Sequence, residues 1–306
     1  MDLRIVPIPV EEGNGHPGCA RAPEALEAAG LAAALEEQGY RVRTLAPVRA
    51  DAPASLRHDN RAIRALPDIV AWTHAAAQAA FAASAEGLPV FIGGDHSISA
   101  GTVAGVARRA ALRNRPLFVL WLDAHPDFHT LETTTSGNLH GVPLAYLSGQ
   151  KGFSGYFPEL AATVAPAHIC PFGLRSVDPA EEAGLKAAGI VAQGMEAVRQ
   201  RGITPVLGAF LDQVRRENGL LHVSFDADFL DPAVAPGVGT PVPGGATLAE
   251  ASEVMDMLGA SGLVSSLDLV ELNPLLDENG STARHLVDLA SRLLCRQALG
   301  ATGKAA

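Results

Sequence analysis

The sequence predicts a single α/β domain, a parallel sheet with helices on both faces, and three observations carry that expectation. Short apolar runs alternate with longer Ala- and Leu-rich stretches along the whole chain. The runs at 88–92 and 117–122 are apolar at nearly every position, as strands covered on both faces must be. No repeat and no low-complexity linker divides the 306 residues, a length that one large α/β domain can fill.

The first candidate strand, 3–10, carries Pro7 and Pro9. Their missing amides fall on one side, so this strand is expected to be short or poorly paired. A helical stretch at 23–38 and a strand at 41–45 follow. Within 68–85, Ile69, Trp72, Ala76 and Ala80 recur at helical spacing, and Gly87 is placed to end the helix. Strand 88–92 leads to helix 99–113 and strand 117–122. The segment 131–157 is long, polar and Gly/Ser-rich, and reads as a functional loop. Strand 167–172, helix 180–188, strand 221–225, helix 248–258, strand 263–270 and helix 281–299 complete the alternation. Residues 300–306 read as a loose tail.

Composition narrows the function. The 23 basic residues face 33 acidic ones, giving a formal charge of −10, with 48% hydrophobic and 18% charged residues. That mix excludes disorder. A pI near 5.4 argues against a nucleic-acid partner, which needs a basic patch. No apolar run approaches the roughly 18–20 residues that cross a bilayer, so no membrane is expected. The start, Met1-Asp2-Leu3-Arg4 then Glu11-Glu12, lacks a signal-peptide layout, which points to the cytoplasm. Cys19, Cys170 and Cys295 stand far apart without a CxxC pair, and read as small buried hydrophobes.

Ligands of an open parallel sheet bind beyond the carboxyl ends of its strands. Gly93-Gly94-Asp95-His96-Ser97, Asp123-Ala124-His125-Pro126-Asp127, Asp226-Ala227-Asp228 and Glu271 all follow candidate strands. Taken alone, the first motif reads equally as a tight turn with a capping Asp95, and Asp226-x-Asp228 as ordinary loop chemistry. Asp-x-His-x-Asp directly after a buried strand is more specific. Four carboxylates meeting without counter-charge would raise each other's pKa. A pair of divalent cations removes that penalty, and two imidazoles with four carboxylates suit six-coordinate Mn²⁺ better than tetrahedral zinc. Asp123 and Asp226 would bridge two ions roughly 3.5 Å apart, the separation of two-metal hydrolases.

These motifs, the third taken as Ser224-Phe225-Asp226-Ala227-Asp228 with Leu230-Asp231-Pro232, resemble those of the ureohydrolases. Within that family the stretch Thr133-Thr134-Thr135-Ser136-Gly137-Asn138-Leu139-His140-Gly141 resembles the arginase loop. Gly173-Leu174-Arg175, Val177-Asp178-Pro179, Gly239-Thr240-Pro241, Gly244-Gly245 and Glu271-Leu272-Asn273-Pro274 extend the likeness across roughly 5–300. The resemblance implies a three-layer α/β/α sandwich around a mostly parallel sheet of roughly eight strands. It also implies two Mn²⁺ ions and hydrolysis of a small cationic guanidino substrate to an amine and urea. His96, Asp123, Asp127 and Asp226 would hold one ion, and His125, Asp123, Asp226 and Asp228 the other. A metal-bridging hydroxide would attack the guanidinium carbon, oriented by Asp127. Glu271 would anchor the guanidinium, Thr240 support the pocket, and His140 shuttle a proton to the leaving amine. A homo-trimer or homo-hexamer is the implied assembly.

Ser136 and Asn138 match the family's α-carboxylate contacts, and Asp178 its α-amino contact. His129 replaces an asparagine, and Ser176 replaces the first acid of Asp-Val-Asp, with Glu181 placed as an outer acid. L-Arginine, hydrolysed to L-ornithine and urea, is therefore the first expected substrate. N-hydroxyarginine, guanidinobutyrate and agmatine follow. A two-metal phosphoesterase would need a basic clamp where this loop offers Thr, Ser and Asn. A catalytically inactive metal-binding or regulatory relative is a further alternative, against which the full ligand set together with His140 and Glu271 argues.

Overall fold

The computed structural model describes residues 1–53 and 55–302, with side chains as far as Leu294. The elements in order are β1 (Asp2–Ile8), α1 (Ala22–Ala28), α2 (Leu31–Glu37), β2 (Arg41–Thr44), α3 (Leu66–Glu86), β3 (Leu88–Gly93) and α4 (Ile98–Leu112). They continue with β4 (Leu117–Leu122), α5 (Pro143–Leu147), β5 (Ile169–Leu174), α6 (Pro179–Ala188), β6 (Gln193–Gly194), α7 (Met195–Arg201) and α8 (Ile203–Arg216). The chain closes through β7 (Leu220–Asp226), α9 (Leu248–Ser261), β8 (Val264–Val270) and α10 (Ser281–Thr302).

The eight strands form one sheet in the order β2-β1-β3-β8-β7-β4-β5-β6. Every pairing is parallel. Alternate apolar residues of the central strands β3, β4 and β7 divide between two apolar clusters, one per face. Phe118, Leu120 and Leu122 pack with Leu26, Leu207, Leu258 and Leu286, whereas Val119 and Trp121 pack with Ile69, Ala76, Val103 and Leu144. The sheet is therefore the middle of three layers, and β4 is buried at all six positions.

Several expectations change. β1 is interior, paired with both β2 and β3, and Pro7 sits in register with Ile92. Its carbonyl accepts from Val48 N–H at 2.9 Å, and Pro9 lies beyond the strand, so the prolines do not weaken the pairing. The stretch 23–38 is two helices, because Gly30 at φ 88° breaks it. Helices α5, α7 and α8 and the two-residue β6 were not expected. Pro205 and Gly208 masked the α8 pattern, yet Pro205 falls in its first turn, where no intrahelical amide is required. The polar 131–157 segment contributes Leu139, Val142, Leu144 and Phe153 to the core. Residues 300–302 continue α10, whereas the rest of the expected tail and the Cys295 side chain lie outside the described residues. Cys19 and Cys170 are buried, as their apolar reading requires. Among the described residues no helix is long and apolar enough to cross a membrane.

The four motif-bearing strands β3, β8, β7 and β4 are consecutive in the sheet, so their carboxyl ends meet at one edge. Gly94 closes the turn after β3 against the Val10 backbone, where a Cβ would stand 1.5 Å from the Val10 carbonyl oxygen. Gly94→Ala should therefore destabilise the fold by about 3 kcal/mol or more. A melting midpoint within a degree of wild type would refute that close approach.

Candidate metal centre

Each strand end bends its first polar residues inward. His96, in the turn before α4, is buried and stacks on Trp121 at 4.1 Å between ring centroids. Its Nδ1 lies 3.0 Å from Asp123 Oδ2 and 3.1 Å from both Asp127 Oδ2 and Asp226 Oδ2, yet makes no hydrogen bond of good geometry. One ring nitrogen cannot serve three carboxylates with one proton, whereas a cation among them serves all. His125 Nδ1 lies 3.0 Å from Asp228 Oδ2 and 3.4 Å from Asp123 Oδ1. Two groups of donor atoms result, His96/Asp123/Asp226 and Asp123/His125/Asp228, each within 4.8 Å and sharing Asp123. The donor set is nitrogen and oxygen only, which suits a hard or borderline divalent ion.

Neighbouring groups hold these ligands. Asp123 Oδ2 accepts from Trp121 Nε1 at 3.0 Å, and its Oδ1 accepts from His125 N–H at 2.6 Å. Asp226 places Oδ2 on the His96 group, and its Oδ1 accepts from Asp228 N–H at 2.7 Å. Asp228 accepts from Ala124 N–H at 3.0 Å and from Thr240 Oγ1 at 3.3 Å. Asp127 and Glu271 adopt left-handed backbone at φ 47° and 62°, strain of the kind that sites of function hold. Burial, then the neighbouring carboxylates, push Asp226 well up and Asp228 up. Burial and the Asp123 charge carry Asp127 up to about 6. Burial also acts to raise Asp123, but His125 and His96 outweigh it and hold that group low. Such an assembly asks for positive charge.

His140 stands at the edge of this cluster, its Nδ1 2.8 Å from Glu271 Oε1. Burial pushes its pKa down, but the Glu271 carboxylate outweighs that and holds it up to about 9. The same Glu271 Oε1 accepts from His96 N–H at 2.7 Å, and Oε2 accepts from Asn14 Nδ2 at 2.9 Å. The resemblance gave Glu271 direct contact with the guanidinium. In the folded chain its Oε1 meets His140 and His96 N–H and its Oε2 meets Asn14, so the carboxylate is held in place beside His140.

That cavity, about 140 Å³, is lined by His125, Asp127, His129, Ser136, Asn138, His140, Gly141, Ser176, Asp178, Glu181 and Thr240. The fold thus brings His129, Ser136, Asn138, Asp178, Glu181 and Thr240 to one wall. Their engagements differ. His129 Nε2 lies 3.1 Å from Asp178 Oδ2 and its Nδ1 3.2 Å from Thr133 Oγ1. Ser136 Oγ accepts from Asn138 N–H at 3.2 Å. Glu181 caps α6, accepting from Phe128 N–H at 3.0 Å and Asp178 N–H at 3.1 Å, so its carboxylate shapes the wall before it meets any ligand.

The sequence reading missed Asn14, Trp121 and the supporting role of Arg175. Trp121 read only as an apolar strand residue, and Asn14 carried no signal beyond the glycines around it. Arg175 belonged to a quoted motif without a role. Its guanidinium donates to the Val242 carbonyl at 3.1 Å and 2.9 Å, and to the Asp228 and Leu230 carbonyls, tying the 228–245 loop to the site. Asp95 proves structural, accepting from Gly13 N–H at 2.7 Å and Asn14 N–H at 3.2 Å.

A protein-family model described as the arginase family matches residues 1–295. An arginase of Brucella melitensis is 54% identical over 299 residues, covering 98% of each chain. The solved arginase of Bacillus caldovelox superposes with a TM-score of 0.86 at 33% identity, over 95% of this chain and 97% of that one. The Entamoeba histolytica arginase, solved in complex with L-ornithine, superposes with a TM-score of 0.84 at 29% identity, over 95% and 98%. A match that spans nearly the whole chain and a shared fold accord with the strand-end acids and histidines: the chain belongs to the arginase family.

Proposed function

We propose that this chain, a single domain, hydrolyses L-arginine to L-ornithine and urea with two Mn²⁺ ions. The carrying observation is the pair of donor groups sharing Asp123 beside a cavity that presents Ser136, Asn138 and Asp178. His96, Asp123, Asp127 and Asp226 would hold one ion, and His125, Asp123, Asp226 and Asp228 the other. When bound, such a pair supplies an activated water near neutral pH.

The protein's own groups do the rest. Asp127 orients the attacking water. Glu271 fixes the His140 ring through Nδ1, leaving the other nitrogen for the substrate, and His140 delivers the proton to the departing amine. Asp178 faces the α-ammonium, with Glu181 behind it. Ser136 and Asn138 face the α-carboxylate, and Thr240 supports the pocket through Asp228. His129, clasped to Asp178, occupies the remaining position, and its presence with Ser176 favours a test of related guanidino compounds. The family likeness supports a homo-trimer or homo-hexamer in the cytoplasm, which light scattering of the purified protein would check.

Urea release across arginine, N-hydroxyarginine, guanidinobutyrate and agmatine, with and without Mn²⁺, tests the substrate. Arginine should exceed agmatine in kcat/KM by about 100-fold or more, since agmatine lacks the α-carboxylate and leaves Ser136 and Asn138 without their partner. Preference for agmatine would overturn the reading of Ser136, Asn138 and Asp178.

A further inference from the structure

Asp268, on β8, is a carboxylate with no exposed surface that the proposed mechanism does not use. Among the described residues no arginine or lysine pairs with it. Its Oδ2 accepts from Ser99 Oγ at 2.6 Å and from Thr102 Oγ1 at 2.8 Å, and lies 3.3 Å from His222 Nε2. Ser99 Oγ in turn lies 3.3 Å from Ser224 Oγ, and Ser224 Oγ lies 2.8 Å from His96 Nε2. All four residues are fully buried, on α4, β7, β8 and the turn before α4.

We propose that Asp268, acting through Ser99 and Ser224, is a positioning residue that fixes the tautomer of His96 for metal binding. The argument is a count of protons. An ionised carboxylate only accepts, and each serine hydroxyl carries one hydrogen. Ser99 gives its hydrogen to Asp268, so toward Ser224 it can only accept. Ser224 therefore gives its hydrogen to Ser99, and toward His96 it too can only accept. His96 Nε2 must then carry the ring hydrogen, which leaves Nδ1 as a bare lone pair. That nitrogen is the one lying 3.0–3.1 Å from three carboxylate oxygens with no hydrogen bond of its own. Reverse any hydroxyl and a hydrogen appears on Nδ1, where an ion belongs. Partners behind a ligating histidine set its orientation and basicity, and their loss weakens metal binding about 10- to 100-fold.

This inference rests on the metal reading above, and its test separates the two. The full-length Mn²⁺-loaded protein is titrated by the electron paramagnetic resonance signal of free Mn²⁺, giving ions bound per chain and their dissociation constants. Ser99→Ala should weaken the tighter-bound or weaker-bound ion on the His96 side by about 10- to 100-fold. Asp268→Ala, which removes the acceptor, should do the same, and Ser99→Thr, which keeps the hydroxyl, should retain affinity. Asp268 retains Thr102 and His222 in Ser99→Ala, so that variant decides the matter if Asp268→Ala does not fold. Ser99→Ala binding both ions within about twofold of wild type would overturn the relay, as would a loss of melting temperature in the metal-free form with affinity unchanged. Wild-type protein that binds no Mn²⁺ would overturn the metal reading itself.

Discussion

Chelated protein should become less stable as pH rises from about 4 to about 6, and added Mn²⁺ should abolish that decline. In the metal-free fold Asp127 is raised from 3.8 to about 6 by burial and by Asp123, and Asp226 and Asp228 are raised by burial and their acidic neighbours. A carboxyl whose folded pKa lies above its unfolded value stabilises the fold below the unfolded value, and that contribution is lost as pH climbs through the folded one. His125 acts in the same direction: burial lowers it, Asp123 and Asp228 outweigh burial and carry it up to about 12, and its contribution fades above 6.5. Of the four ligand aspartates Asp123 alone is lowered, and its contribution is lost only in strong acid, below this window. The shift at Asp127 by itself amounts to about 3 kcal/mol. An ion at about 1,000 times its dissociation constant adds about 4 kcal/mol to the folded state. Calorimetric melts of chelated and Mn²⁺-loaded samples across this range would check both terms. A flat profile in the chelated sample, or coincident melts, would show that the acids do not form a cation site.

Replacing His140 with alanine should lower kcat for urea release by about 10²- to 10⁴-fold while the bound Mn²⁺ and the melting temperature stay near wild type. The ring belongs to neither donor group, so its removal takes no metal ligand away. It does remove the group best placed to protonate a leaving amine, since the Glu271 carboxylate holds it up to about 9 against the opposing effect of burial. The imidazolium therefore persists at neutral pH. The falling limb of the wild-type pH profile should lie above about 9 and be absent from the residual activity of the variant. Wild-type turnover in His140→Ala would assign the proton transfer to another group.

How much of this was legible beforehand follows from the physics of each feature. The strands β3 and β4 were readable because burial on both faces leaves no room for polar residues. The helix α8 was not, since Pro205 and Gly208 look like breakers until a helix start is located. β6 has only two residues and can carry no pattern. The ligand motifs were readable because a parallel sheet delivers the residue after each strand to one edge. Asp268 looked like an ordinary strand position and Ser224 belonged to a matching motif without a role, because a hydroxyl or carboxylate in a strand gives no sign of what stands on the neighbouring strand.

The sequence alone thus determined the layered fold, the acids and histidines of the two donor groups, and the family likeness. All depend on local order along the chain, which alternation and spacing record. Tertiary structure decided the rest: that β3, β8, β7 and β4 are neighbours, that Glu271 meets His140, that His129 clasps Asp178, and that Glu181 caps a helix. Each joins residues far apart in the chain, and whether their atoms lie 3 Å or 10 Å apart is set by packing across the sheet, for which single-residue identity carries no record.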